Sequence, residues 1–266
     1  MTLFEGTAWY YARYRPGHSP DLAPAFAELF QLDGGGQLLD LGTGTGAIAL
    51  ALANHFDAVV AIDPDASMLS EAARAARERG VANVQFIHAR AEELGDSLGK
   101  FRLITVGSAF HWMDRDQVLN IAHRALVPSG VFAIIESPGK ATDTSGSALP
   151  PVPWDRVHAV VSRYLGPKRR AGRGFYAAPD ESYQDMLDRS LFGGHRTLTL
   201  PGVPATRSVE DVIGYLFSTS YASRQLFGDR VAAFEDRLRR ELLEASPSGD
   251  FFEPARPTEV IYSQKN

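Results

Sequence analysis

The sequence of 266 residues contains no cysteine. Disulfide bonds, thiolate ligands for a metal and cysteine nucleophiles are therefore excluded. We also find no histidine and carboxylate spacing typical of a metal site, so no metal is expected. Any proton released in a reaction would have to pass to histidine, a carboxylate, tyrosine or water.

Long apolar runs are also absent. No stretch approaches the roughly 20 apolar residues that a membrane span requires. Residues 1–5 lack the charged start and apolar core of a signal peptide. We therefore expect a cytoplasmic protein with no membrane partner.

The chain has no strong excess of positive charge. Its formal net charge is −5, and the charges are spread rather than blocked. This argues against a nucleic-acid partner. With 44% hydrophobic residues the chain can bury one substantial core, so we expect a single elaborated domain over residues 1–266.

The most informative stretch runs from Leu38 to Ala47 and has glycine at every second position from Gly42 to Gly46. It predicts a buried strand, a tight turn and a helix N-terminus, where backbone N–H groups can bind a polar ligand. The second predicted strand ends at Asp63, 21 residues after Gly42, where a Rossmann-like unit places a carboxylate on ribose hydroxyls.

Strand and helix patterns alternate along the first half of the chain. This predicts an α/β fold with a doubly wound, mostly parallel sheet. The predicted strands are 38–41, 58–62, 84–87, 101–106, 131–135, 196–203 and 259–262. The predicted helices cover 20–32, 47–56, 64–79, 114–126, 154–165 and 229–245, with another that begins after Ser208.

Three regions do not fit this alternation. Residues 1–32 form an aromatic and helical N-terminal cover, and residues 138–192 and 208–256 are predicted to lie over an acceptor pocket. A basic cluster lies in the first of these two lid segments, and it is either a solvated loop or a site for a substrate carboxylate or phosphate. Its members are Arg163, Lys168, Arg169, Arg170 and Arg173.

Two motifs carry a family resemblance, namely Tyr11-Ala-Arg-Tyr-Arg-Pro16 and Phe110-His-Trp-Met-Asp114. With the glycine turn, they resemble the class I S-adenosylmethionine-dependent methyltransferases, in the small-molecule branch similar to trans-aconitate and secondary-metabolite methyltransferases. The resemblance implies a Rossmann-like sheet of seven strands with the last strand antiparallel. It also implies S-adenosylmethionine as cofactor and a small-molecule acceptor, in a monomer or homodimer.

The resemblance also implies cofactor-binding residues. Asp40 and the glycine turn would hold the amino-acid end, Asp63 the ribose and Met68 one face of the adenine. The full implied set is Tyr14, Arg15, Asp40, Gly42, Thr43, Gly44, Asp63, Pro64, Met68, Ala91, Glu92 and Ser108. Aromatic faces suit a sulfonium cation, and the implied substrate-binding residues are Tyr11, Phe110 and Trp112.

His111 and Glu136 are the candidate catalytic residues because each follows a predicted strand of the parallel sheet. A neutral imidazole at His111 could accept a proton from the methyl acceptor. Alternatively, His111 orients Trp112 or caps the following helix, Trp112 packs in the core, and Glu136 only solvates a loop. The acceptor atom is expected to be nitrogen or oxygen, on a natural-product or amino-sugar-like metabolite.

Two other functions are compatible with parts of the sequence. Gly42, Gly44 and Ala47 match the pattern of an NAD(P)-dependent oxidoreductase, and Tyr164 with Lys168 resembles the Tyr-x-x-x-Lys pair of short-chain dehydrogenases. However, Gly166-Pro167 should break the helix that this pair requires. The other alternative is a nucleotide-binding regulator without catalysis.

Overall fold

The computed structural model describes residues 4–95, 99–137, 147–168, 170–171, 174–175 and 181–266. Its α-helices are α1 (Ala8–Tyr14), α2 (Leu22–Leu29), α3 (Ala47–Leu52), α4 (Ala66–Glu78), α5 (Arg115–Ala125), α6 (Trp154–Leu165), α7 (Tyr183–Arg189), α8 (Val209–Phe217) and α9 (Val231–Ala245). Its strands are β1 (Gln37–Leu41), β2 (Ala58–Asp63), β3 (Val84–His88), β4 (Phe101–Gly107), β5 (Leu126–Glu136), β6 (Arg170–Ala171), β7 (Gly174–Phe175), β8 (Arg196–Leu200), β9 (Ala205–Ser208), β10 (Asp250–Glu253) and β11 (Thr258–Gln264).

The chain divides into two compact units. The sheet unit comprises residues 17–139, 179–202 and 257–266. The helical unit comprises residues 1–16, 140–178 and 203–256.

The sheet unit contains a seven-stranded sheet in the order β3-β2-β1-β4-β5-β11-β8. Strands β1 to β5 pair in parallel, and β11 is antiparallel to both of its neighbours. This confirms the predicted fold class. The strand order reverses between β1 and β4, and the carboxyl ends of the strands at such a point form the crevice in which α/β proteins bind ligands.

Strand β1 shows why the sheet is central. Leu38, Leu39 and Leu41 are almost completely buried. Leu38 packs in the cluster on one face of the sheet, and Leu39 and Leu41 pack in the cluster on the other. Successive side chains of a strand point to opposite faces, so a continuous apolar run requires cover on both faces.

Several element boundaries differ from the predictions. Helix α2 begins at Leu22 rather than Pro20. The Ser19 hydroxyl donates a hydrogen bond to the Pro201 carbonyl at 2.6 Å and accepts the Asp21 N–H at 3.3 Å. Helix α4 begins at Ala66, where the Asp65 carboxylate accepts the first free N–H groups of the helix. Strand β8 ends at Leu200 because Pro201 has no N–H to continue the ladder.

The helical unit has its own apolar core, built from α6, α8 and α9 with the loop before α9. The Phe227 and Phe234 rings stack with centroids 3.9 Å apart, and Phe217 packs against both. Strands β9 and β10 form an antiparallel pair beside these helices. The organisation of residues 1–266 as a single domain stays a prediction.

The predicted lid segment 138–192 is divided between the two units. Helix α7 belongs to the sheet unit, where Met186, Leu187 and Phe192 join the core under the sheet. Residues 138–146, 169, 172–173 and 176–180 lie outside the described residues. The role of the lid and of its basic cluster stays a prediction. In the part of the chain that the structure describes, no helix has the length and apolar character needed to cross a bilayer.

Candidate active site

The glycine turn between β1 and α3 has a left-handed backbone at each glycine. Gly42, Gly44 and Gly46 have φ of +64°, +56° and +82°. A Cβ on Gly42 would lie 2.6 Å from the Ala109 Cβ, whereas a Cβ on Gly44 would meet no atom within 4 Å. Gly42 is therefore required for packing, and Gly44 leaves open space beside the main chain.

These two glycines provide a matched test. Gly42→Ala should lower stability by about 2 kcal/mol or more, because it adds overlap with Ala109 to the strain of the left-handed backbone. Gly44→Ala should cost only about 1 kcal/mol but should strongly weaken ligand binding, because the methyl group would occupy the open space. Urea denaturation and calorimetry measure the two effects. Equal affinity of Gly44→Ala and wild type for S-adenosylmethionine, the cofactor that the resemblance implies, would contradict the role of Gly44 in ligand binding.

Asp63 ends β2 beside this turn and is buried. Its two carboxylate oxygens accept backbone N–H groups, Oδ2 from Gly44 at 2.8 Å and Oδ1 from Asp65 at 2.8 Å. Burial raises the pKa of Asp63, although the two N–H groups oppose that rise. Because an ionised carboxylate has about four acceptor positions, Asp63 holds the turn and retains capacity for a ligand.

Asp40 lies in β1 and is 1% exposed. One oxygen accepts the Thr43 hydroxyl at 2.6 Å and the other accepts the Thr105 hydroxyl at 2.7 Å. Burial is the main cause that raises the pKa of Asp40 to about 6. Asp40 and Thr43 therefore bond to each other, and their role in holding the cofactor stays a prediction.

The raised pKa of Asp40 predicts a pH dependence of stability. The folded protein binds the proton more tightly than the unfolded chain, so stability is highest below the ordinary pKa of Asp and falls as the pH rises to about 6. Between pH 4 and pH 7, Asp40→Asn should gain about 1–3 kcal/mol relative to wild type. Urea denaturation of both proteins across this range is the measurement. A constant difference between them would refute the prediction.

The predicted adenine-binding residues follow β2 and β3. Met68 and Ala91 are 3% and 5% exposed, and Pro64 is exposed. Glu92 accepts the Asp114 N–H at 2.9 Å through its carboxylate, which joins the turn after β3 to the start of α5. Their roles in binding stay predictions.

The ends of β4 and β5 bring the candidate catalytic residues together. The His111 Nδ1 lies 3.9 Å from the Glu136 Oε1, and each side chain is 21% exposed. The His111 and Trp112 ring centroids are 4.5 Å apart. This geometry fits both a proton acceptor and a residue that orients Trp112. Ser108, at the end of β4, has φ of +49°, an uncommon value outside glycine.

Phe110 was predicted to contact the substrate. It is fully buried, and its ring lies 5.8 Å from that of Phe132 and 5.4 Å from that of Tyr183. These contacts are those of a core residue.

The predicted aromatic leader, with Tyr11, Tyr14 and Arg15, belongs to the helical unit. Tyr14 packs so closely on Gly214 that a Cβ at that glycine would lie 2.3 Å from its ring. The Arg15 guanidinium lies 5.0 Å from the centre of the Tyr11 ring and 5.2 Å from that of Tyr215. Arg15 is therefore held by cation–π contacts, and its role in cofactor binding stays a prediction.

One residue near Glu136 was missed by sequence reasoning. His18 follows the Arg15-Pro16-Gly17 turn and belongs to the sheet unit. Its Nε2 lies 3.4 Å from the position of a Cβ built on Gly107, at the end of β4. No local sequence pattern distinguishes it, because its neighbours are distant in the chain.

The Tyr164 and Lys168 pair is not on one helix face. Helix α6 ends at Leu165, and Gly166 has φ of +88°. The Tyr164 hydroxyl donates to the Ala233 carbonyl at 3.0 Å. The arrangement that a short-chain dehydrogenase requires is therefore absent from the described residues.

Comparisons with known proteins give a consistent result. Residues 38–130 match a family model described as a methyltransferase domain. A protein from Dictyostelium discoideum that carries the name of a methyltransferase is 26% identical over 80% of this chain and 74% of its own length. An uncharacterized methyltransferase of Mycobacterium tuberculosis is 32% identical over 51% of this chain and 52% of its own length.

A solved structure shares the fold. It is a protein from Anaeromyxobacter dehalogenans that carries the name of a type II methyltransferase, 24% identical, with a TM-score of 0.53 over 95% of this chain and 98% of that chain. At this identity the likeness establishes the fold and no more.

Proposed function

We propose that the chain is a class I S-adenosylmethionine-dependent methyltransferase that methylates a nitrogen or oxygen atom of a small metabolite, since residues 38–130 match a methyltransferase domain. The observation that carries the proposal is the open space at Gly44 beside the buried carboxylate of Asp63. We further propose that the enzyme is cytoplasmic and acts in secondary metabolism.

The residues of the sheet unit fit the cofactor. The turn at Gly44 can admit a ligand, and the Asp63 carboxylate lies at the carboxyl end of β2, where ribose hydroxyls bind in folds of this type. When bound, S-adenosylmethionine supplies a methyl group on a positively charged sulfur. Asp63 would accept hydrogen bonds from the ribose, and the buried pair of Asp40 and Thr43 would keep the turn in shape.

Positioning would supply most of the catalysis. Holding two reacting groups in line is worth roughly 7–11 kcal/mol in well-oriented systems. The side chains at the ends of β4 and β5 would hold the acceptor. Trp112 would form a wall there, and His111 and Glu136 would contact its polar group.

A proton must leave the acceptor when a hydroxyl or a protonated amine is methylated. The His111 imidazole would accept it, with the Glu136 carboxylate close enough to stabilise the resulting positive charge. Neither residue needs to form a covalent bond. The chain's contribution is a binding surface and one proton acceptor.

We also propose that the helical unit selects the acceptor. Residues 147–168 and 208–256 do not enter the seven-stranded sheet and have a separate core. Loops and inserted segments vary more freely than a sheet and commonly carry substrate specificity.

Two measurements test the proposed function. Calorimetry should show that the protein binds S-adenosylmethionine and its demethylated product more tightly than NAD or NADP. A metabolite library incubated with labelled S-adenosylmethionine should then reveal the acceptor by transfer of label. Tighter binding of a nicotinamide dinucleotide, or no affinity for S-adenosylmethionine, would remove the proposal.

A further inference from the structure

His18 lies at the same edge of the sheet as Glu136. Two hydrogen bonds hold its neighbour Ser19. The Ser19 N–H donates to the Thr258 hydroxyl at 2.9 Å, and the Ser19 hydroxyl donates to the Pro201 carbonyl at 2.6 Å. Thr258 begins β11, and the next residue, Glu259, is paired with Glu136 across the two strands. The segment that carries His18 is therefore anchored beside the end of β5.

The neighbouring strand brings His18 to the same place. Gly107 at the end of β4 is in register with Ile135, and the Ser108 N–H donates to the Ile135 carbonyl at 2.9 Å. The His18 ring lies close to Gly107, since a Cβ on that glycine would be 3.4 Å from the His18 Nε2 and would clash with Ile48. Glu136 follows Ile135 directly.

Two atoms of this cluster lack a hydrogen-bond partner among the described residues. They are the His18 Nδ1 and the Glu136 Oε1, and both are inaccessible to solvent. A buried polar atom without a partner is costly, roughly 1–3 kcal/mol, and such atoms are uncommon in native proteins. Two such atoms at the same edge of the sheet indicate a place where a ligand supplies the missing bonds.

The electrostatics agree with this geometry. Burial is the larger effect and lowers the pKa of His18, while the Glu136 charge opposes it and raises the pKa. His18 is therefore neutral at pH 7, and its Nδ1 can donate or accept a hydrogen bond according to the tautomer. The charged or titratable groups next to Glu136 include His111, whose Nδ1 lies 3.9 Å from the Glu136 Oε1, and Glu259, which pairs with Glu136 across β5 and β11.

We propose that His18 is a positioning residue that, with Glu136 and His111, binds the methyl acceptor through an uncharged hydroxyl or amine group. This inference rests on the proposed function and narrows its substrate class. The Glu136 Oε1 accepts the hydrogen of that group, and the His18 Nδ1 makes a second hydrogen bond to it. An ammonium group has no lone pair to attack a methyl group, so the cluster would first have to remove its proton.

The coupling between His18 and Glu136 is measurable without an acceptor. In an NMR titration of the histidine rings, the signal that His18→Gln removes belongs to His18. Glu136→Gln should lower the pKa of His18 by about 1 unit, because it removes the nearby negative charge. Glu28→Gln is the matched control, since it changes the net charge equally at an exposed position of α2. An unchanged pKa of His18 in Glu136→Gln would overturn the proposal that His18 and Glu136 form one cluster.

The binding role has a separate test with the acceptor found in the screen. His18→Phe should raise the KM of the acceptor about tenfold, the effect of one lost hydrogen bond. His18→Asn should bring the acceptor KM back towards the wild-type value, because the Asn amide lies near the position of the His18 Nδ1. His18→Gln should leave the KM raised. An acceptor KM that is unaffected by His18→Phe would overturn the proposal.

The two proposals can fail independently. Calorimetry with S-adenosylhomocysteine should give equal affinities for wild type and the three His18 variants. Absence of S-adenosylhomocysteine binding in wild type would count against the proposed function. The NMR titration of His18 would still test whether His18 and Glu136 interact. A loss of affinity in His18→Asn as well as in His18→Phe would place His18 in the donor site and overturn its assignment to the acceptor.

Discussion

Replacing Asp63 with alanine should reduce the affinity for S-adenosylmethionine by at least about 100-fold. Each hydrogen bond from a ribose hydroxyl to a carboxylate is worth about 1.5–3 kcal/mol. Losing two of them therefore lowers the affinity by about 100-fold or more. The variant also leaves the Gly44 and Asp65 N–H groups without their acceptor. Both the ligand contact and the turn that presents it are therefore removed. Isothermal titration calorimetry measures the change.

Asp57→Ala is the matched control for this experiment. Asp57 immediately precedes β2 and also accepts a glycine N–H, that of Gly36 at 2.8 Å, but it is exposed at the opposite end of the strand. Its variant should bind S-adenosylmethionine as wild type does. Asp63→Asn should resemble Asp63→Ala, because its NH₂ group would face a backbone N–H. Equal affinity of Asp63→Ala and wild type would show that the cofactor does not depend on this carboxylate.

The second large effect is expected at His111. If it is the proton acceptor, His111→Ala should lower kcat for the acceptor found in the screen by about 10²–10⁴-fold, the usual contribution of general acid–base catalysis. Affinity for the methyl donor should stay nearly constant, because the Asp63 and Gly44 site is intact. Steady-state kinetics and calorimetry on the same preparation separate the two quantities.

The alternative role of His111 makes a different prediction. If its ring only orients Trp112, 4.5 Å away, His111→Ala should lose stability or acceptor affinity, and His111→Asn should keep near-normal kcat. His195→Ala is the control, since His195 also pairs with a carboxylate, that of Asp188 at 2.7 Å. Near-normal kcat in His111→Asn would remove the assignment of a general base.

Much of the fold was predictable because its signals are local. The apolar run before Gly42, the acid at Asp63 and the capping residue Ser208 each act through neighbours a few positions away. Their outcomes agree with the predictions, including the antiparallel last strand. The surroundings of the start of α2 were less predictable, because the Ser19 hydroxyl also bonds to the distant Pro201 carbonyl, a contact that the local pattern does not encode.

The candidate site was predicted in part for the same reason. The glycine turn, Asp63, His111 and Glu136 were proposed as site residues from their positions at strand ends, which the parallel sheet brings to one edge. The burial of Phe110 was not found, because a residue one position before His111 can face the core or the crevice without any change in the local pattern.

The sequence alone determined the order of strands and helices, and it predicted a resemblance to methyltransferases and the residues that would hold a nucleoside or accept a proton. Only the tertiary structure decided that the Asp63 oxygens also brace the turn, that Asp40 and Thr43 bond to each other, and that His18 lies beside Glu136. These contacts depend on strand register and on loops anchored to remote elements. Such contacts arise only when the whole sheet is assembled, and residue spacing along the chain does not encode them.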